Sequence, residues 1–264
     1  MFYFYVLIIF YEINILIANF GAILDIMNSD LESSLKPIVV AHKVNRYSLL
    51  KKYLALGVPW LEIDVSMRNG VLVVEHGVEV NLGTVRAEII KTGYKVLEHR
   101  DPLWRPLTLP AYLEKLNGKA GLWLDVKEAG AAVKAVELAK KSGLNKIAVS
   151  TPYHEELAGV KKTYPDVLTF LGNVSFRPAD SAGLVEASGA DGLSIEYCYV
   201  TREVVQAIHK AGLKIAAWTV NKIDEAKRMI NLGVDFLITN VPEKIMPLID
   251  ESLAKRRSRL LALI

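Results

Sequence analysis

Six residues of this sequence have types and spacings suited to chemistry: His42, Glu62, Asp64, His76, Asp125 and Lys127. Glu62 and Asp64 stand two apart in the apolar run WLEIDV (60–65), and a strand sends positions i and i+2 to one face. Asp125 holds a comparable place in GLWLDVK (121–127). Ionisable groups inside apolar strands are costly to bury unless they are paired or metal-bound. Three converging carboxylates repel one another unless a cation lies among them, and an all-oxygen ligand set favours one hard divalent ion, Mg²⁺ or Ca²⁺. A plainer arrangement, in which Glu62 or Asp64 simply pairs with Lys127 or Lys43, stands beside it. His42 and His76 are the candidate acid and base. A neutral imidazole takes a proton or attacks phosphorus, and an imidazolium protonates a leaving alkoxide. Lys43 and Lys127 are suited to offset phosphate charge as point cations. Trp218, at the end of an apolar run, is a candidate pocket residue. His99, His154 and His209 lie in loop, helix-start and polar-helix contexts, where surface roles are the default.

Positioning these residues is the task of a repeating framework. Eight short apolar runs rich in Val, Ile and Leu alternate with amphipathic segments: 37–42, 60–65, 121–127, 146–150, 167–172, 191–197, 213–219 and 235–240. That alternation predicts a parallel sheet with crossover helices, and its size and order predict a (β/α)₈ TIM barrel over residues 37–254. Helical segments are expected at 130–142, 154–163, 201–211 and 222–232, with Gly143, Gly212 and Gly233 as C-terminal caps. In such barrels the site lies at the C-terminal ends of the strands. His42, Glu62, Asp64, Asp125, Lys127, Ser150, Glu196, Trp218 and Asn240 all stand at such ends. One connection departs from the alternation. Asn69-Gly70 between apolar residues is a hairpin signal, so a β-hairpin is inserted after the second strand. A three-residue loop, Arg68-Asn69-Gly70, pairs Met67 with Val71, sets Asp64 opposite Val74 and brings His76 level with Glu62. A register slip of one residue reverses the face of His76.

Composition narrows the class. The 264 residues carry a net charge of +3 and a hydrophobic content of 52%, enough for a sizeable core and too weakly basic to suggest a nucleic-acid partner. The single cysteine, Cys198, excludes an intrachain disulfide and a cysteine-based zinc cluster. There is no glycine-rich phosphate loop, no Gly-x-Ser-x-Gly elbow and no dinucleotide fingerprint. Residues 1–24 are apolar with one charge, Glu12. This leader, residues 1–26, reads either as a membrane segment or as the result of a start assigned upstream of Met27. The two readings carry different expectations: a cytoplasmic protein, or one in membrane contact through residues 1–24.

The motifs taken together resemble the glycerophosphodiester phosphodiesterase family. They are His42-Lys43, Glu62-Ile63-Asp64, Val73-Val74-Glu75-His76, Asp125-Val126-Lys127, Trp218-Thr219-Val220-Asn221, Gly233-Val234-Asp235 and Thr239-Asn240-Val241-Pro242. Each is weak alone, but their order and spacing from about residue 38 to 250 are specific. The resemblance implies that His42 and His76 act as acid and base or nucleophile. It implies too that Glu62, Asp64 and Asp125 hold one divalent ion, and that Lys127 contacts the phosphate. Lys43 and Trp218 would bind substrate, a small-molecule phosphodiester or a lysophospholipid. Several features depart from the family pattern. Lys43 stands for the family's arginine, which removes a bidentate grip; the Pro-Glu-Asn-Thr segment is missing; Gly77 follows His76; and Asp125 stands for the usual glutamate. His42-Lys43-Val44-Asn45, His76-Gly77 and Asp125-Val126-Lys127 are also similar to the sphingomyelinase D branch, which often forms a cyclic phosphate. The expectation is a metal-dependent hydrolase releasing glycerol 3-phosphate and an alcohol. The alternatives are a cyclising lysophospholipase D-like enzyme and a non-catalytic barrel that binds phospholipid head groups.

Overall fold

A computed structural model describes residues 36–75 and 106–261, with side chains through Ser252. The leader 1–26, His76, Gly77 and His99 lie outside the described residues. The strands are β1 (Ile38–Ala41), β2 (Trp60–Arg68), β3 (Val71–Val74), β4 (Leu107–Thr108), β5 (Gly121–Val126), β6 (Ile147–Thr151), β7 (Leu168–Val174), β8 (Gly192–Glu196), β9 (Lys214–Trp218) and β10 (Phe236–Thr239). The described helices are α1 (Tyr47–Ala55), α2 (Leu109–Leu116), α3 (Ala132–Lys141), α4 (Glu155–Thr163), α5 (Ser181–Ser188), α6 (Arg202–Lys210), α7 (Ile223–Leu232) and α8 (Pro242–Leu261). Parallel pairing runs β1-β10-β9-β8-β7-β6-β5-β2, and β1 also pairs with β2. That closes the eight-stranded (β/α)₈ barrel the alternation predicts, with every expected apolar run forming a barrel strand. Residues Pro37–Asp250 make one compact unit. No helix among the described residues is long and apolar enough to cross a membrane.

Strand parity decides which residues meet. Leu61, Ile63 and Val65 of β2, and Leu122, Leu124 and Val126 of β5, join the core layer that also contains Leu113 and Leu116 of α2 and Ala135 and Val136 of α3. Trp60 and Trp123, of the opposite parity, fill the barrel with Phe170 and Phe236. The Trp123 ring stacks on Phe170 at 4.4 Å between centroids and meets Phe236 edge-on at 5.5 Å. Both strand faces are thus buried, which is why these runs read as continuously apolar. Continuing the inward parity, Glu62, Asp64 and Asp125 emerge above the aromatic plug. Asp64 lies directly across from Asp125 in the β2–β5 register.

Helix ends follow local chemistry. Thr108 caps α2 by accepting from the Ala111 N–H at 3.3 Å, and Asp180 caps α5 by accepting from the Gly183 N–H at 2.9 Å. Gly143, Gly212 and Gly233 adopt φ of +83°, +74° and +85°, the left-handed conformation expected after α3, α6 and α7.

The hairpin corrects one expectation. Arg68 pairs with Val71, Met67 with Leu72 and Val65 with Val74, so the loop has two residues rather than three. Asn69 and Gly70 take φ of +49° and +78°. Two consecutive left-handed residues form the turn whose twist matches that of the strands, and Asn-Gly favours it. The pairing of Asp64 with Val74, and the register meant to bring His76 level with Glu62, are therefore displaced by one residue along the described arms.

Two glycines give opposite expectations. A Cβ at Gly192 in β8 would lie 2.5 Å from the Lys214 carbonyl oxygen and 2.7 Å from the Phe170 ring. Gly192→Ala should cost about 1–3 kcal/mol through backbone displacement. At Gly159, inside α4, the nearest atom to a new Cβ is 3.8 Å away, so Gly159→Ala should stabilise by up to about 1 kcal/mol. Urea unfolding measures both, and a Gly192→Ala protein as stable as the parent would contradict the packing described.

Candidate active site

Glu62 and Asp64 are 2% and 0% exposed, and the structure brings both together with Asp125. One carboxylate oxygen from each lies within 4.8 Å of the others. The groups around them are specific. Glu62 Oε2 accepts the Lys43 main-chain N–H at 2.5 Å. Asp64 Oδ2 accepts from Asn45 Nδ2 at 2.7 Å. Asp125 Oδ1 accepts from the Ser150 hydroxyl at 3.0 Å, and that hydroxyl oxygen accepts from Trp123 Nε1 at 2.8 Å. Lys127 Nζ donates to Asp125 Oδ2 and stands 3.4 Å from Asp64 Oδ1.

The residues fit a divalent cation. Among the described residues Glu62 Oε1 is buried with no hydrogen-bond partner, an arrangement costly for a carboxylate unless a positive ion faces it. Burial first, then Asp64 and Asp125, push the Glu62 carboxyl well above the usual range. Burial also pulls on Lys127, but Asp125 and Asp64 outweigh it and raise the ammonium. The plainer ion-pair arrangement is therefore present only in part: Lys127 serves Asp64 and Asp125, whereas Lys43 offers Glu62 its main-chain N–H. One ammonium against three carboxylates leaves room for two further positive charges, and oxygen-only donors suit a hard ion.

His42 follows β1 and faces this cluster. Its Nδ1 is 2.9 Å from Asn240 Oδ1 and its Nε2 is 4.0 Å from Glu62 Oε2. Burial lowers its pKa below the ordinary 6.5, against the hydrogen bond to Asn240 and the charge of Asp64, which raise it. Asn240 is itself held, since its N–H donates to Asn221 Oδ1 at 2.9 Å.

A cavity of about 230 Å³ opens over the cluster. His42, Lys43, Glu62, Asp64, Asp125, Lys127 and Trp218 all line it, as does Ser150. Sequence reasoning missed Asn173, Ser194 and Thr219, which also line it. Asn173 sits left-handed, φ +58°, beside a register irregularity in β7, which no pattern of apolar residues announces. Asn45 was visible as a motif letter, but its bond to Asp64 was not. Glu196, at the end of β8, does not line the cavity. His209 instead meets Asp235 Oδ2 at 3.0 Å and does not line the cavity.

Comparison with known proteins bears on the family and the fold. The sequence model described as the glycerophosphoryl diester phosphodiesterase family matches residues 114–244. A glycerophosphodiester phosphodiesterase from Caldanaerobacter subterraneus is 28% identical over 249 residues, covering 81% of this chain and 98% of that one. Among solved structures, an Oleispira antarctica phosphodiesterase in complex with the product sn-glycerol-3-phosphate superposes with a TM-score of 0.66 at 23% identity, covering 83% of this chain and 99% of that chain. A glycerophosphodiester phosphodiesterase from Thermotoga maritima does so with a TM-score of 0.56 at 19% identity, over 80% and 98% of the two chains. The chain is thus similar to the glycerophosphoryl diester phosphodiesterase family in sequence over residues 114–244, and it shares its fold with solved phosphodiesterases over most of its length.

Proposed function

We propose that this protein hydrolyses glycerophosphodiesters to glycerol 3-phosphate and an alcohol, with one divalent cation, Mg²⁺ or Ca²⁺, held by Glu62, Asp64 and Asp125. The observation that carries this reading is the convergence of the three carboxylates beside His42 and Lys127 in one cavity. A bound ion there supplies Lewis-acid polarisation of a phosphoryl oxygen. Lys127, kept cationic by its carboxylate neighbours, offsets charge that builds on the phosphoryl group. Lys43 adds a second point charge at the cavity wall, and Trp218 packs against the substrate. His42, neutral near pH 7, takes a proton through Nε2 while the water oxygen bonds to phosphorus. The phosphorus–oxygen bond to the alcohol breaks, and a proton is delivered to the departing oxygen. His76, the second histidine of the motif set, is assigned that second transfer in this proposal.

Phosphorus NMR tests the reading. Glycerophosphocholine should yield glycerol 3-phosphate as the only phosphorus product, and lysophosphatidylcholine should turn over more slowly. A dominant cyclic phosphate from the lysolipid, with little reaction of glycerophosphocholine, would replace hydrolysis by attack of the substrate's own hydroxyl.

A further inference from the structure

The short connection between β1 and α1 makes four bonds to β2. Lys43 N–H reaches Glu62 Oε2 at 2.5 Å, and Val44 N–H reaches the Glu62 carbonyl at 2.8 Å. Asn45 Nδ2 donates to Asp64 Oδ2 at 2.7 Å, and the Asp64 N–H donates to Asn45 Oδ1 at 3.0 Å. Asn45 is 4% exposed. Lys43 takes φ +53°, an uncommon conformation for a side-chain-bearing residue.

We propose that Asn45 is a positioning residue for the cation site: its carboxamide fixes Asp64 in the orientation needed to receive an ion before the ion arrives. The inference rests on the metal reading above. Asp64 presents an acceptor on its side chain and a donor on its main chain, side by side. A carboxamide answers both through two separate atoms of one planar group; a hydroxyl would have to do so through a single oxygen, a carboxylate could only accept from the main chain, and an aliphatic side chain answers neither. The grip occupies Oδ2 and leaves Oδ1 on the side of Lys127, 3.4 Å from its Nζ. Asn45 does this without adding charge to a cluster already rich in negative charge. Outer groups that orient a ligand in this way commonly change ion affinity by 10–100-fold when removed.

Calorimetric titration of the full chain with Mg²⁺ and with Ca²⁺ provides the test, using the parent, Asn45→Ala and the near-isosteric Asn45→Leu. Both variants should bind either ion with Kd raised about tenfold or more. The ion concentration for half-maximal turnover should rise in parallel, with turnover largely recovered at saturating ion. A merely structural role would lower the melting temperature of the metal-free protein and leave Kd unchanged, and that outcome overturns the inference. If neither variant folds, NMR of the parent decides. The Asn45 side-chain amide protons should exchange slowly with solvent and shift when Mg²⁺ saturates the site; rapid exchange with no shift overturns the inference. A parent chain that binds neither ion overturns the metal reading and this inference with it. Tight binding by the parent and variants alike overturns this inference alone.

Discussion

Stripping divalent ions with EDTA should reduce turnover of bis(p-nitrophenyl) phosphate by about 10³-fold or more, and Mg²⁺ or Ca²⁺ should restore it. The size follows from the several kcal/mol of charge stabilisation a metal ion supplies, at about 1.4 kcal/mol per tenfold in rate. Asp125→Asn should weaken ion binding and leave the fold intact. Its side chain is only partly buried, and an amide oxygen still accepts from Ser150. The pH dependence has a definite sign. In the metal-free protein Glu62 is raised above 4.5 by burial, then by Asp64 and Asp125. The folded state therefore holds a proton that the unfolded chain releases at lower pH. Stability falls as pH climbs from the unfolded value through the raised one, because in that window the folded state binds more protons. Ion binding displaces that proton, so affinity grows with pH and the ion's stabilising effect grows with it. Melting temperatures with and without Mg²⁺ at about pH 5 and about pH 8 check this, with the larger increment expected at the higher pH. Undiminished activity of a metal-free sample would remove the ion from the mechanism.

Much of this site was legible because strand parity is a local property. Trp60, Glu62 and Asp64 share a face whatever surrounds them, and Asp125 shares one with Trp123, so once eight apolar runs imply a barrel the acids must meet at one rim. Glycine caps are legible for the same reason, since a left-handed residue after a helix is a short-range demand. The hairpin shows the limit. Asn69-Gly70 signals a turn, but whether Arg68 belongs to the loop depends on how the two arms twist, and one residue of difference shifts every pairing between them. Partners set by closure of the barrel are beyond local reading. Asn45 meets Asp64 across 19 residues and His42 meets Asn240 across 198. Nothing in either segment names its partner. The lining residues Asn173, Ser194 and Thr219 were hidden likewise, because small polar residues on or near strands are common and only the cavity distinguishes them.

His42→Ala should lower kcat/KM by about 10²–10⁴-fold, the range typical of a lost general acid or base. The structure makes a finer forecast. Asn240 Oδ1 can only accept, so the His42 nitrogen beside it, Nδ1, carries the hydrogen. The neutral ring then keeps its lone pair on Nε2, the nitrogen nearer Glu62. Burial, the largest influence on this ring, holds its pKa below 6.5, so the proton-accepting form predominates at neutral pH. A base serves the attacking water whatever alcohol departs. His42→Ala should therefore impair bis(p-nitrophenyl) phosphate and glycerophosphocholine to a similar degree. An acid would be needed far less for p-nitrophenolate, which leaves readily without a proton, so a loss confined to glycerophosphocholine would assign His42 to the leaving group instead. The ring's partner gives an independent handle. Asn240→Asp places a carboxylate against Nδ1–H, which favours the imidazolium and raises the His42 pKa. Activity on the acid side requires the neutral ring, so the acidic limb of the kcat/KM profile, measured at saturating ion, should move to higher pH in Asn240→Asp. The same limb should disappear in His42→Ala. An acidic limb that stays in place in both variants would belong to another group, and His42 would lose its role as the base.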